Sequence, residues 1–192
     1  MDHFTHVEAT NGMTMNWGAS PTEITGSMAG DDLIANPALN ATRSISISSP
    51  PEQVFPWLRQ MGFGRAGWYS YDLLDNLGRR SADRINPAWQ DLSSGDIVPG
   101  GPINFTALIV EPPHTFVLVL GSPTRTPRRI DFTLSYRLDR VAETTRLVTR
   151  VRSQIRLPGG RLIAHRLLGP GDGFMLRRQL HTLKARAELA TV

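Results

Sequence analysis

The chain contains no cysteine. That absence excludes a disulfide framework, a thiol nucleophile, an iron–sulfur cluster and a Cys-ligated zinc site. Long apolar runs are missing as well. No stretch approaches the ~18 residues that cross a bilayer, so no membrane span is expected. The opening residues MDHFTHVEATNG lack a basic segment followed by an apolar run, so no secretory leader is expected and the default location is cytoplasmic. Lysine is almost absent, Lys184 being the single one among 21 basic residues. Aromatic residues make up only 7% and are not interleaved with the basic clusters, so a nucleic-acid stacking platform is not expected. Neither a G-x-S-x-G nucleophile elbow nor a glycine-rich phosphate loop followed by Lys occurs. His3 and His6 read as surface residues of a tail, and His114, His165 and His181 have no partners at metal spacing. No metal or cofactor is therefore expected.

What is present is 192 residues, 40% of them hydrophobic, which suits one domain plus an extension. The net charge of +4 is uneven. Residues 1–122 carry six arginines against twelve carboxylates, whereas residues 123–192 carry fourteen arginines and Lys184 against five. An arginine excess suits phosphate recognition through the planar guanidinium fork, and it equally suits a genome whose base composition favours Arg codons.

Residues 1–40 show no sustained period and read as an irregular extension with at most one short helix. The folded domain is expected over 41–190. Arg43–Ser48 alternates, with Ile45 and Ile47 on one face, as a half-buried strand does. Ser49-Pro-Pro-Glu52 then reads as a helix start, with Ser49 as cap and Glu52 completing a capping box. Val54, Trp57, Leu58 and Met61 continue at helical spacing. A second short helix is expected over Tyr71–Leu77, capped by Ser70.

Strands follow at 95–98, 103–110, 115–120, 130–138 and 146–157. In the last two the alternation is clean. Ile130, Phe132, Leu134, Tyr136 and Leu138 share one face, as do Leu147, Thr149, Val151, Ser153, Ile155 and Leu157. Arg146, Arg150, Arg152 and Arg156 point the other way, toward an expected wet face. Arg161–Leu168 and about 172–190 read as helices separated by a hinge at Gly169–Gly173, the second presenting Leu176, Gln179, Leu180, Leu183 and Ala187 on one face. The layout is α+β, a curved antiparallel sheet wrapped around a long C-terminal helix.

This order, with the opening Ala41–Glu52 and the stretches Gly67–Asp72, Ser81–Ile85, Trp89-Gln90 and Gly95-Asp96, resembles the helix-grip fold of the START/SRPBCC superfamily. That superfamily includes polyketide cyclases and birch-pollen-allergen-like proteins, and the stretches look like an uncharacterised bacterial branch of it. The resemblance implies an apolar cavity between sheet and terminal helix. It implies no single activity and carries over no catalytic residue.

The densest chemistry lies in GWYSYDLLDN (67–76). Trp68, Tyr69 and Tyr71 suit stacking on a planar ligand, and Tyr71 beside Asp72 suits acid/base work if burial shifts their pKa values. Plugging one end of the core is the competing role. Arg84 either pairs with Asp83 or reaches an anionic ligand group. Thr149 and Ser153 interrupt an aliphatic row, which a hydrated or ligand-filled cavity accepts better than a dry core. Phe116, Phe132, Tyr136, Phe174 and Met175 are the remaining candidates for the cavity wall, with simple core packing as the competing role of each.

Two functions follow from these residues. The first is binding of a small hydrophobic or aromatic molecule, with or without cyclase/dehydratase-like turnover by Tyr71, Asp72 and Arg84. The second is docking of an acidic protein partner, an acyl carrier or a chaperone, on the Arg row without catalysis.

Overall fold

The computed structural model describes residues 16–120, 130–156 and 169–189, with side chains from Gly173 onward in the last stretch. His3, His6, Leu157, His165 and the expected helix Arg161–Leu168 lie outside the described residues. The element order is α1 (Pro21–Thr25), a 3₁₀ turn (Asp31–Leu33), β1 (Leu39–Ile47), α2 (Pro51–Arg59), α3 (Asp72–Asp75), a second 3₁₀ turn (Pro87–Trp89), β2 (Ile97–Val98), β3 (Phe105–Glu111), β4 (Thr115–Leu120), β5 (Ile130–Val141), β6 (Thr144–Ile155) and α4 (Gly169–Leu189). The strands form one antiparallel sheet in the order β1-β6-β5-β4-β3-β2. The architecture is α+β, an open sheet with the long C-terminal helix against one face.

The inner face is built by period-2 alternation, as the sequence predicts. Leu134 and Leu138 of β5 and Leu147, Val151 and Ile155 of β6 are buried there. From α4, Leu176, Leu180, Leu183 and Ala187 close over them at helical spacing, with Val54, Trp57 and Leu58 of α2 in the same core.

The helix ends differ from expectation. Ser49 does not cap α2: Pro50 occupies that position, and the Ser49 hydroxyl donates instead to the carbonyls of Ser48 and Ala187. Tethering the end of α4 is thus its role. Ser70 does not cap α3 either; its hydroxyl donates to the Met175 carbonyl at 3.0 Å. The expected hinge at Gly169–Gly173 is the first turn of α4, a place where Pro170 loses no hydrogen bond by lacking an N–H.

The largest difference concerns the outer face. It is not wet along the middle of β1, β5 and β6, because residues 16–38 lie on it. Thr133 and Ser135, which point outward, are buried, and the Ser135 hydroxyl donates to the Ala29 carbonyl at 2.8 Å. The arginines of β6 hold this segment like a row of rivets. Arg146 forks onto Glu23 at 2.7 and 2.9 Å and also reaches the Gly18 carbonyl. Arg152 meets Asp31 at 3.2 Å and donates to the Ile34 carbonyl.

Arg150 is only 2% exposed. It bonds Asp31 at 2.6 Å, the carbonyls of Glu23, Ile24 and Gly26, and the Thr42 hydroxyl. Sheet edges expose unpaired backbone groups, and the same segment covers the β1 edge. The N–H groups of Thr42 and Ser44 donate to the Asn16 side chain and the Trp17 carbonyl. Trp17 then reaches α4, with Arg177 over its ring at 5.1 Å and His181 beside it.

Candidate functional site

Register alone brings several of the expected residues onto the inner face. Arg43, Thr149, Tyr136 and Phe116 form one cross-strand row over β1, β6, β5 and β4. Leu39, Ser153 and Phe132 form a second row. Arg43 was legible as a partner of Ile45 and Ile47 in the alternation, and it is fully buried beneath the start of α4. Its Nη2 would lie 3.5 Å from a Cβ placed on Gly173. Thr149 and Ser153 are also fully buried, and neither hydroxyl has a hydrogen-bond partner.

Between this sheet face and α4 lies a cavity of about 220 Å³. Its walls are Trp68 and Ser70 from the loop after α2, Asp75 of α3, Gly100, Phe105 of β3, Phe132 and Leu134 of β5, and Met175, Leu176 and Gln179 of α4. Three rings run along one side, Trp68 edge-on to Phe105 at 5.4 Å and Phe105 tilted to Phe132 at 6.0 Å. Gln179 fixes the helix side. Its Oε1 accepts from the Tyr136 hydroxyl at 2.7 Å, and its Nε2 donates to the Trp68 carbonyl at 2.8 Å.

Asp75 is the unusual member of this wall. Both carboxylate oxygens are shut off from solvent, and no side chain hydrogen-bonds to either. Burial, with the charge of Asp72 adding to it, pushes its pKa up from the ordinary carboxylate range to about 6. A half-buried carboxyl without a side-chain partner keeps a proton that other carboxylic acids release, so it can donate to a ligand oxygen in mildly acidic solution, up to about pH 6.

A second, polar pocket of about 440 Å³ lies on the other side of Ser70. It is lined by Tyr69, Asp72, Arg80, Ser81, Ala82 and Asp83 of the loop region and by Arg178, Thr182 and Arg186 of α4. Its floor is rigidly built. Tyr69 adopts φ +58, a conformation that costs a non-glycine residue roughly 1 kcal/mol. The Ser81 hydroxyl accepts from the Tyr69 N–H and donates to Asp72. Gly67, at φ +76, is required beneath it, since a Cβ there would meet the Ser81 oxygen at 2.5 Å. The Tyr69 hydroxyl accepts from Gln60 Nε2 at 2.6 Å, and burial raises its pKa far above the usual phenol range. Gln60 also bonds the Arg84 carbonyl and the Asn86 N–H, which holds the loop 84–86 against α2.

The predicted site residues thus separate. Trp68, Phe132 and Met175 line the apolar cavity, and Tyr69 and Asp72 line the polar pocket. Phe116 and Tyr136 are fully buried core residues, stacked at 6.1 Å, and line neither space. Tyr71 stacks on Phe174 at 4.5 Å and 7°, and Phe174 is 60% exposed, so this pair lies outside both linings. Arg84 is exposed, lines neither space and makes no ion pair with Asp83, because Gln60 takes its carbonyl and the side chain turns outward. Asp75, Ser70, Gln179 and Phe105 are lining residues that the site prediction passed over. The i, i+3 spacing of Asp72 and Asp75 was the available signal for Asp75.

Among the described residues no group of three or more His, Asp or Glu side chains could hold a metal ion, and no helix is long and apolar enough to cross a membrane.

No protein-family profile and no curated protein matches the sequence. Solved structures do match in shape. A protein from Mesorhizobium loti aligns with a TM-score of 0.51 at 15% identity, covering 80% of this chain and 100% of its own. One from Rhodobacter sphaeroides gives 0.50 at 14%, covering 81% and 94%. One from Nitrosospira multiformis gives 0.50 at 14%, covering 80% and 99%. At such identity the likeness is one of fold. With the sheet order and the long C-terminal helix, it fits a helix-grip architecture.

Proposed function

We propose that the protein binds a small hydrophobic or aromatic molecule in the cavity between the sheet and α4, within a ligand-binding unit formed by residues 41–190. The observation that carries this reading is the ring-lined cavity of about 220 Å³ into which the Asp75 carboxyl is built without a side-chain partner. Core packing alone has no use for such a group, since burying it without a partner costs free energy. A ligand carrying a hydroxyl or carbonyl would supply the missing partner. The volume is below the ~300–1,000 Å³ of pockets that take drug-sized molecules, so a single ring or a short branched chain fits best.

Any proton handling in a cyclase- or dehydratase-like reaction falls to Asp75 rather than to Tyr71, Asp72 or Arg84. With a pKa of about 6 it serves as acid below that pH and as base above it. The reading in which the Arg row docks an acidic partner is left with Arg156 alone of that row, because Arg146, Arg150 and Arg152 are bonded to residues 18–34.

The test is a titration with benzyl alcohol, followed by Trp68 fluorescence and by amide chemical shifts. Saturable binding is expected, with shifts at Asp75, Phe132 and Met175. Met175→Trp and, separately, Phe132→Trp fill the space and are expected to abolish binding while circular dichroism stays native. No saturable binding, or equal binding by both folded variants, would refute the proposal.

A further inference from the structure

Two sets of arginines stand out among the described residues. Arg137, Arg140, Arg146, Arg150, Arg152 and Arg156 each face a carboxylate partner. Arg80, Arg178 and Arg186 line the polar pocket and form no ion pair. Arg178, Thr182 and Arg186 follow one another at i, i+4 and i+8, so one stripe of α4 is turned toward that pocket. The Nε of Arg186 is shut off from solvent and has no hydrogen-bond partner.

Two carboxylates share the pocket. Three guanidinium groups against two carboxylates leave the lining one charge positive, with Arg178 and Arg186 on the α4 side, Asp72 accepting from the Ser81 hydroxyl and Asp83 exposed. Guanidinium forks without carboxylate partners suit a planar carboxylate or a phosphate. Ser70 is common to this pocket and to the apolar cavity, and its hydroxyl bond to the Met175 carbonyl lies between the two spaces.

We propose that the polar pocket is an anion site, and that the ligand is amphipathic. Its apolar part fills the cavity beneath α4, and its carboxylate or phosphate passes Ser70 to meet Arg178 and Arg186. This rests on the apolar cavity being a binding site, as proposed above.

The experiment compares three probes that share one ring: benzyl alcohol, phenylacetate and benzyl phosphate, titrated by calorimetry at low salt. The two acids are expected to bind about tenfold tighter than the alcohol, since charge-assisted hydrogen bonds are roughly twice as strong as neutral ones. The ratio between phenylacetate and benzyl phosphate distinguishes a carboxylate from a phosphate headgroup. Raising the salt from about 0.05 to about 0.5 M is expected to shrink the advantage of the acids, the site being open to solvent. Arg186→Gln and, separately, Arg178→Gln are expected to bring the acids down toward the alcohol and to leave the alcohol unchanged. Acids that bind no tighter than the alcohol, or an advantage that survives both substitutions, would overturn the anion site and leave the cavity standing. If none of the three probes binds, the cavity reading and the anion site fall together.

Discussion

Replacing Arg150 by Met tests how the outer face is closed. Methionine keeps most of the aliphatic stem, so the loss reports on the guanidinium. Five hydrogen bonds disappear at once, to Asp31, Thr42 and the carbonyls of Glu23, Ile24 and Gly26. With the side chain 3% exposed, this is a buried pair broken from one side, for which about 3–5 kcal/mol is the general magnitude. That is a large part of the ~5–15 kcal/mol by which a domain of this kind is stable.

Asp31→Asn is expected to cost less, about 2 kcal/mol, because Asp31 is partly exposed and the amide oxygen still accepts from Arg150 and the Met28 N–H. The double variant completes a cycle whose coupling is expected at about 1.5 kcal/mol or more. Urea unfolding measures each corner, and limited proteolysis reports whether residues 18–34 have come away. An Arg150→Met loss under about 1 kcal/mol would refute the reasoning, as would a coupling near zero, because either result means the segment is held by something other than this guanidinium.

Two further predictions concern the cavity wall. Asp75 is raised to about 6 from an ordinary value of 3.8, so between those two pH values the folded chain keeps a proton that the unfolded chain releases. Stability therefore falls as pH rises from about 4 to about 6 and levels off above. Asp75→Asn should remove that slope and gain about 1 kcal/mol at pH 7, after discounting for partial solvent access. A slope that persists in the variant, measured by urea unfolding at several pH values, would show that another group titrates. Gln179→Leu should cost about 1–3 kcal/mol, because the Trp68 carbonyl and the Tyr136 hydroxyl both lose their bonds to it; a change within 0.5 kcal/mol in thermal or urea unfolding would contradict that.

Local pattern was enough to read the order of elements, the inward rows of β5 and β6, and the buried stripe of α4, because alternation and helical spacing are properties of neighbouring residues. It was enough for Trp68, Phe132 and Met175 as cavity residues, since large apolar side chains beside a loop or on an inward face have few other places to go. Tyr71 and Arg84 were singled out for their chemistry, and chemistry says nothing about direction. Arg84 turns outward while its backbone is held by Gln60, a residue at the end of α2 that no motif marks. Asp75 shows the converse. Nothing in its local sequence distinguishes it from Asp72, yet Asp72 finds the Ser81 hydroxyl and Asp75 finds no side-chain donor.

By itself the sequence determined the α+β layout, the antiparallel meander, and the limits that a chain without cysteine sets on its chemistry. Only the tertiary structure decided what the charge is for. The same alternation that turns Arg146, Arg150 and Arg152 away from the core would have left them in water, had residues 16–38 not folded back over them. Contacts between residues more than a hundred positions apart carry no local signature, and they turn a solvated row into a buried clamp. Distance in the chain likewise hides the arginine cluster of the polar pocket, since Arg80 meets Arg178 and Arg186 only when α4 lies against the loop after α3.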